Sequence, residues 1–242
     1  MAKKLITQIE GPSPHQRAVR STIALKCLMA ITGLFLVFFL LFHMFGNFKL
    51  LMGANEYNHY AEFLREFLYP ILPKKVFLWI FRVTLLLAAI LHMWSAVKLT
   101  YRNFEERGSS RARYARQRYM EKSFAARTMI WGGIIIALFL VFHLLQFTAE
   151  VVTVGYQGST TPYERVYHGF QMDHWWVLVV YTISMLAVCT HIFHGFFSAF
   201  CTLGANVGPL AKRILKACSV LIAVILFVGF MFPPFLIFFG VI

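Results

Sequence analysis

The sequence predicts an all-α integral membrane bundle of five transmembrane helices. Three observations lead there: the apolar content, the length of the uncharged runs, and the alternation of cationic residues between the connecting segments. Hydrophobic residues make up 59% of the 242 positions and charged residues 14%, against about 45–50% and about 25% in soluble domains. A helix needs about 20 apolar residues to cross the hydrocarbon core. Lipid offers no hydrogen bonds to an open strand, and the alternating pattern of a membrane barrel is absent from the sequence.

The first span is expected at 27–48, which holds no charged residue. It starts late and is full length, so it is expected to be retained rather than cleaved as a signal peptide. The second, 76–97, holds one charge, Arg82, close to its start, and the third, 128–149, holds none. An uncharged stretch over 175–210 is longer than a crossing requires, so the fourth span is expected at 175–203, followed by a surface turn around Gly204 and Gly208-Pro209. The fifth is expected at 217–240, within an uncharged run that reaches Ile242. Together, 1–242 read as a single membrane domain.

The formal net charge of +13 is distributed in a way that points to membrane orientation rather than to nucleic acid. Five Lys or Arg residues precede the first span, nine lie between the second and third, and three lie between the fourth and fifth. Those seventeen fall on one face, and only Lys49, Arg65, Lys74, Lys75 and Arg165 fall on the other. The positive-inside rule puts the N-terminus in the cytoplasm and the C-terminus outside. Segment 101–127 then reads as an amphipathic cytoplasmic segment, and 49–75 as a substantial outer loop. The cysteines Cys27, Cys189, Cys201 and Cys218 are dispersed in or beside the spans and form no CxxC pair. They read as small apolar residues, without an iron–sulfur or zinc pattern.

Five of the nine histidines, His43, His92, His143, His191 and His194, lie inside the spans. Ionisable side chains are expensive at that depth and turn toward the protein interior or a cavity. His43 is 17th of 22 residues in an outward-running span and His143 is 16th of 22 in another, so both belong near the outer face. His92 is 17th of 22 in an inward-running span and His194 is 20th from Trp175 in another, so both belong near the inner face. At about 1.5 Å per residue the two levels are roughly 15–20 Å apart. Two histidines matched in depth on different helices can supply the axial ligands of a haem b, and two such pairs suit two haems stacked across the bilayer. Two ligands per level are too few for zinc. His191 precedes His194 by three residues and either can ligate; the glycine in His194-Gly195 leaves room for a flat macrocycle, which favours His194, with His191 as alternative ligand or hydrogen-bonding neighbour.

In the same order along the chain stand Gly33-Leu-Phe-Leu and His43-Met-Phe-Gly-Asn, then Tyr57-Asn-His-Tyr-Ala-Glu-Phe-Leu-Arg, Leu91-His92-Met, Val141-Phe-His143-Leu and Phe193-His194-Gly195. With this order the chain resembles the cytochrome b membrane subunit of succinate:quinone oxidoreductases (succinate dehydrogenase and fumarate reductase, respiratory complex II), of the five-helix dihaem type. The resemblance spans nearly the whole chain. It implies His43 with His143 at an outer haem and His92 with His194 at an inner one. It also implies flavoprotein and iron–sulfur subunits docked on the cytoplasmic basic segments, since this chain has neither a GxGxxG fingerprint nor a cysteine cluster and cannot oxidise succinate alone. Electrons would pass between those subunits and a quinone, expected to be menaquinone, at a bacterial cytoplasmic membrane. The family's outer quinone site uses an acidic residue just before the second span. Glu66 is the nearest match and Glu62 the next, with Tyr57, Tyr60 and Arg65 as accessory candidates; the spacing from Glu66 to His92 departs slightly from the family's. A quinone pocket near the inner haem is equally allowed. The competing readings are a haem b subunit of another respiratory dehydrogenase, and a transporter or anchor with intramembrane histidines and no haem.

Overall fold

The computed structural model describes residues 21–108, 124–156 and 161–242. Among them there is no strand, and five helices are long and apolar enough to cross a membrane. The long helices are α1 (Thr22–Phe48), α3 (Val76–Gly108), α4 (Phe124–Phe147), α6 (Trp175–Thr202) and α7 (Pro209–Phe238). Two short helices, α2 (Ala54–Glu66) and α5 (Pro162–Gly169), follow α1 and α4 at one end of the bundle. The chain is therefore a multi-pass membrane protein, as its composition predicts.

The helix ends depart from the charge-defined spans in an instructive way. Ser21 caps α1, its Oγ accepting from the Ala24 N–H at 3.1 Å, so the helix begins before Lys26. α3 runs on to Gly108 and carries Lys98 and Arg102 on its final turns. Pro209 stands at the start of α7, where its missing N–H is harmless, so Lys212, Arg213 and Lys216 ride on the first turns of that helix rather than in a loop. A charge on a long flexible stem can leave the bilayer from the last turns of a helix, so uncharged runs underestimate helix length. The expected turn at Gly204 and Gly208 is present, with Gly204 at φ +86°. Of the basic segment 101–127, positions 109–123 lie outside the described residues; its first part is the end of α3 and its last part the start of α4.

The expected outer loop 49–75 contains a helix. In α2 the residues Tyr57, Tyr60, Ala61 and Leu64 recur at helical spacing, forming an apolar stripe that docks against the bundle end. α5 begins with a complete capping box: Thr161 accepts from the Glu164 N–H, and the Glu164 carboxylate accepts from the Thr161 N–H. α2 and α5 meet through Tyr57 and Tyr163, with ring centroids 6.3 Å apart, and through the Tyr163 N–H donated to Asn58 Oδ1 at 3.1 Å.

α6 is the central helix and packs on α1, α4 and α7, while α1 also packs on α3 and α7. Its buried face, Val177, Leu178, Tyr181, Ser184, Met185, Val188 and Ile192, meets Leu226 and Met231 of α7. Small residues are prominent among the buried helix positions, among them Ala30, Thr32, Ala88, Ala89, Ser95, Ser219 and Gly229. Lipid is as apolar as leucine, so association in a bilayer depends on such close packing rather than on removing apolar surface from water. The many exposed Phe, Ile, Leu and Trp side chains on the outer surface match an acyl-chain environment.

Candidate functional site

Two histidine pairs bridge different helices. His43 of α1 and His143 of α4 have ring centroids 5.9 Å apart, with planes at 84°. His92 of α3 and His191 of α6 have centroids 6.1 Å apart, with planes at 63°. Gly33 of α1 lies against His92, ten residues before His43 in the same helix. Tyr181 of α6 lies against His143, ten residues before His191. At about 1.5 Å per residue both helices put the two pairs roughly 15 Å apart along the bundle.

At the first pair, Phe39 stacks on His43 with centroids 5.3 Å apart, and Phe139 and Phe147 flank His143. His143 Nδ1 lies 3.1 Å from the Tyr181 hydroxyl, and that hydroxyl donates to Gln146 Oε1 at 2.9 Å. The tyrosine has one proton and gives it to Gln146. With the Gln146 carboxamide oriented this way, its Nε2 buried with no hydrogen-bond partner among the described residues, His143 Nδ1 is the donor in the other contact, which leaves the Nε2 lone pair of His143 free. Gln146 is fully buried, and its backbone carbonyl accepts from the Tyr156 hydroxyl at 3.2 Å.

At the second pair, His92 Nδ1 lies 3.0 Å from the Met29 carbonyl and 3.4 Å from Thr32 Oγ1. A carbonyl only accepts, so Nδ1 carries the hydrogen and Nε2 is again free. A metal-ligating histidine characteristically uses its second nitrogen in this way, donating to a carbonyl or a neighbouring oxygen. His191 Nδ1 is buried without a hydrogen-bond partner among the described residues. His191 and His194, one helical turn apart, are both partly exposed, and the ring that meets His92 is that of His191.

The two pairs fit a bis-imidazole metal. A metal–imidazole bond is about 2 Å and the ring centre lies about 1 Å beyond the nitrogen, so two opposed ligands have centroids roughly 6 Å apart. Rotation about their shared axis is free, so both interplanar angles are admissible. Among the described residues no three His, Cys, Asp or Glu side chains converge on one point. Each level thus offers two protein ligands, as a macrocycle that supplies the other four requires.

The quinone candidates separate onto two faces of α2. Glu62 and Glu66 line an open cavity of about 690 Å³ with His59, Phe63, Phe67, Leu68 and Tyr69. Glu66 is ion-paired with Lys74, which raises the Lys74 pKa. Tyr57 and Tyr60 face the bundle instead: Tyr57 packs on Tyr163, and Tyr60 lies against Gly46 of α1. Burial, aided by the neighbouring Tyr60, pushes the Tyr57 hydroxyl up to about 12, and burial also raises Tyr60. Arg65 is exposed, and its carbonyl accepts from the Lys75 N–H. His59, Phe63 and Phe67 were not anticipated as lining residues, although positions 59, 62, 63 and 66 share one helical face. Tyr181 and Gln146 were also missed; a buried amide and phenol inside uncharged spans were the available signal.

No family model, curated protein or solved structure matches the chain.

Proposed function

We propose that this chain is the membrane anchor and dihaem electron-transfer subunit of a succinate:quinone oxidoreductase. The observation that carries this is the pair of cross-helix histidine couples, at 5.9 and 6.1 Å between ring centroids, stacked on two levels. His43 and His143 would hold one haem b. His92 would hold the other with His191, in preference to His194, because His191 is the ring that meets His92 and stands in register with the buried Val177, Tyr181, Ser184 and Val188 of α6. Haem b, when bound, would supply a reversible one-electron couple at each level.

The protein's own contributions follow from the geometry. Met29, Thr32 and Tyr181 orient His92 and His143 with Nε2 free, and the surrounding phenylalanines exclude water from the ligands. The cationic segments at the end holding residue 108, residue 124 and the start of α7 would face the cytoplasm and receive the iron–sulfur and flavoprotein subunits. The opposite end would take the quinone in the cavity beside α2. Quinone reduction consumes two electrons and two protons, and Glu66 and Glu62 are the proton-exchanging groups at that cavity. Phe63, Phe67 and Leu68 would pack on the quinone ring and tail, and His59 would serve as a hydrogen-bond donor or acceptor.

A reduced-minus-oxidised absorption spectrum of the purified protein, with haem quantified per chain, tests the reading. Two low-spin b haems per chain are expected, and one in His43→Ala or His143→Ala. A folded preparation without haem overturns the proposal and leaves a transporter or anchor.

A further inference from the structure

We propose that Tyr181 is a positioning residue that lowers the reduction potential of the iron held by His143. The inference rests on the dihaem reading above. It starts from the relay His143 Nδ1–H to Tyr181 Oη, and Tyr181 O–H to Gln146 Oε1, at 3.1 and 2.9 Å. The direction of the relay follows from the orientation of the Gln146 carboxamide: with Oε1 turned to the phenol and Nε2 buried away from it, Oε1 accepts from the phenol and the phenol accepts from the imidazole. An imidazole that donates from Nδ1 gains imidazolate character and becomes a more basic ligand. A more basic ligand favours the oxidised metal.

The relay is held in place from three sides. Phe139 and Phe170 meet the Tyr181 ring edge-to-face, each with centroids 4.9 Å away, at 89° and 82°. Tyr181 and Gln146 are both buried. The Tyr156 hydroxyl donates to the Gln146 backbone carbonyl and ties the end of α4 to the segment that follows it. The second level is wired differently. His92 donates to the Met29 carbonyl of α1 at 3.0 Å, with the Thr32 hydroxyl farther off at 3.4 Å, and its partner His191 has no Nδ1 partner among the described residues. The two irons would therefore differ in ligand basicity by design of the side chains, and Tyr181 is the one hydroxyl that sets the difference at the His143 level.

The test is a potentiometric titration of the purified, haem-loaded Tyr181→Phe protein, followed by visible spectroscopy. Each level is assigned beforehand by the single haem that remains in His143→Ala and in His92→Ala. Loss of an outer hydrogen-bond partner of this kind changes metal-site equilibria by roughly tenfold. The expected result is a tenfold rise in the reduced-to-oxidised ratio of the His143-level haem at fixed potential, an upward shift of about 59 mV for a one-electron couple, with the other haem unmoved. Gln146→Leu keeps the phenol but frees its proton, so it is expected to shift the same haem upward by a smaller factor. An unmoved potential in Tyr181→Phe, or an equal shift of both haems, overturns the proposal while leaving the dihaem reading intact. Should Tyr181→Phe lose that haem, Gln146→Leu decides, and an unmoved potential there overturns it. Absence of haem from the unsubstituted protein sinks the underlying reading instead.

Discussion

Gly33→Ala is the perturbation with the clearest arithmetic. A methyl group at Gly33 would stand 2.9 Å from His92 Cε1 and 3.3 Å from Nδ1, where carbon contacts are comfortable at about 3.5–4.0 Å. The ring must retreat from α1 by about 0.6 Å or more. Its hydrogen bond to the Met29 carbonyl, 3.0 Å long, is made to the same helix and lengthens with the retreat. Losing that bond costs about 1 kcal/mol, and overpacking a close contact costs about 1–3 kcal/mol. The added methyl returns about 1 kcal/mol of helix propensity. The net is about 1–3 kcal/mol against the His92 site, which on the proposed dihaem reading, at 1.4 kcal/mol per decade, would weaken haem affinity there about five- to hundredfold. Gly195→Ala is the matched control: its methyl would lie 4.0 Å from His191 Cδ2 and from Met129 Cε, an ordinary contact. Haem per chain, measured during dilution or competition with apomyoglobin, is expected to fall toward one in Gly33→Ala and to stay at two in Gly195→Ala. The reverse pattern would refute the placement of His92 against α1 and return the second level to a His194-Gly195 site.

Three further outcomes are expected. His191→Ala should remove the second-level haem while His194→Ala retains it; loss in His194→Ala alone would assign the ligand to His194. Tyr57 is protonated in the fold up to about pH 12 but only to about 10.0 when unfolded. Its contribution is complete below pH 10 and is lost as pH rises toward 12, at about 1.4 kcal/mol per unit. Thermal melts at pH 9 and pH 11.5 should therefore show a shallower alkaline loss in Tyr57→Phe than in the parent protein, and identical slopes would contradict the buried placement. Glu66→Gln should suppress quinone turnover with both haems retained, whereas unchanged turnover would remove Glu66 from the site.

The spans were legible because hydrocarbon tolerates almost no charge, and that constraint acts on every residue of a helix. The first histidine pair was legible too: depth alone matched His43 with His143, and their rings meet. Depth could not choose between His191 and His194. Three residues change the height by about 4.5 Å but turn the side chain by most of a revolution, so the choice depends on how α6 is rotated. The sequence does contain that rotation. Val177, Tyr181, Ser184 and Val188 fall at alternating spacings of four and three, the seam of a packed helix, and they are all buried. The next position on the seam is His191, not His194. Gly33, on another helix, is the glycine that lies tightest against one of these rings, that of His92, whereas Gly195 meets His191 at an ordinary contact. Helix α2 was hidden because its polar face dominates its composition, and only the spacing of Tyr57, Tyr60, Ala61 and Leu64 betrays the face that docks.

That docked face links the bundle to the cavity. Tyr60 lies so close to α1 that a methyl at Gly46 would stand 2.9 Å from its Cε1 and 3.3 Å from its hydroxyl. On the opposite side of α2, Glu62 and Glu66 project into the cavity, and α5 clasps the helix through Asn58 and Tyr57. A rigid amphipathic helix transmits a push on one face to the other as a displacement of the whole segment. Gly46→Ala touches no cavity residue, yet it should move the carboxylates by several tenths of an ångström. A misplacement of that order raises a barrier without abolishing binding elsewhere. On the quinone-site reading, the expected signature is a severalfold fall in kcat for quinone turnover, with both haems retained and normal electron entry from an artificial donor. Unchanged quinone kinetics in a folded Gly46→Ala protein would mean that α2 is not the element that positions the proton-exchanging groups, and would direct the search for the quinone to the other end of the bundle.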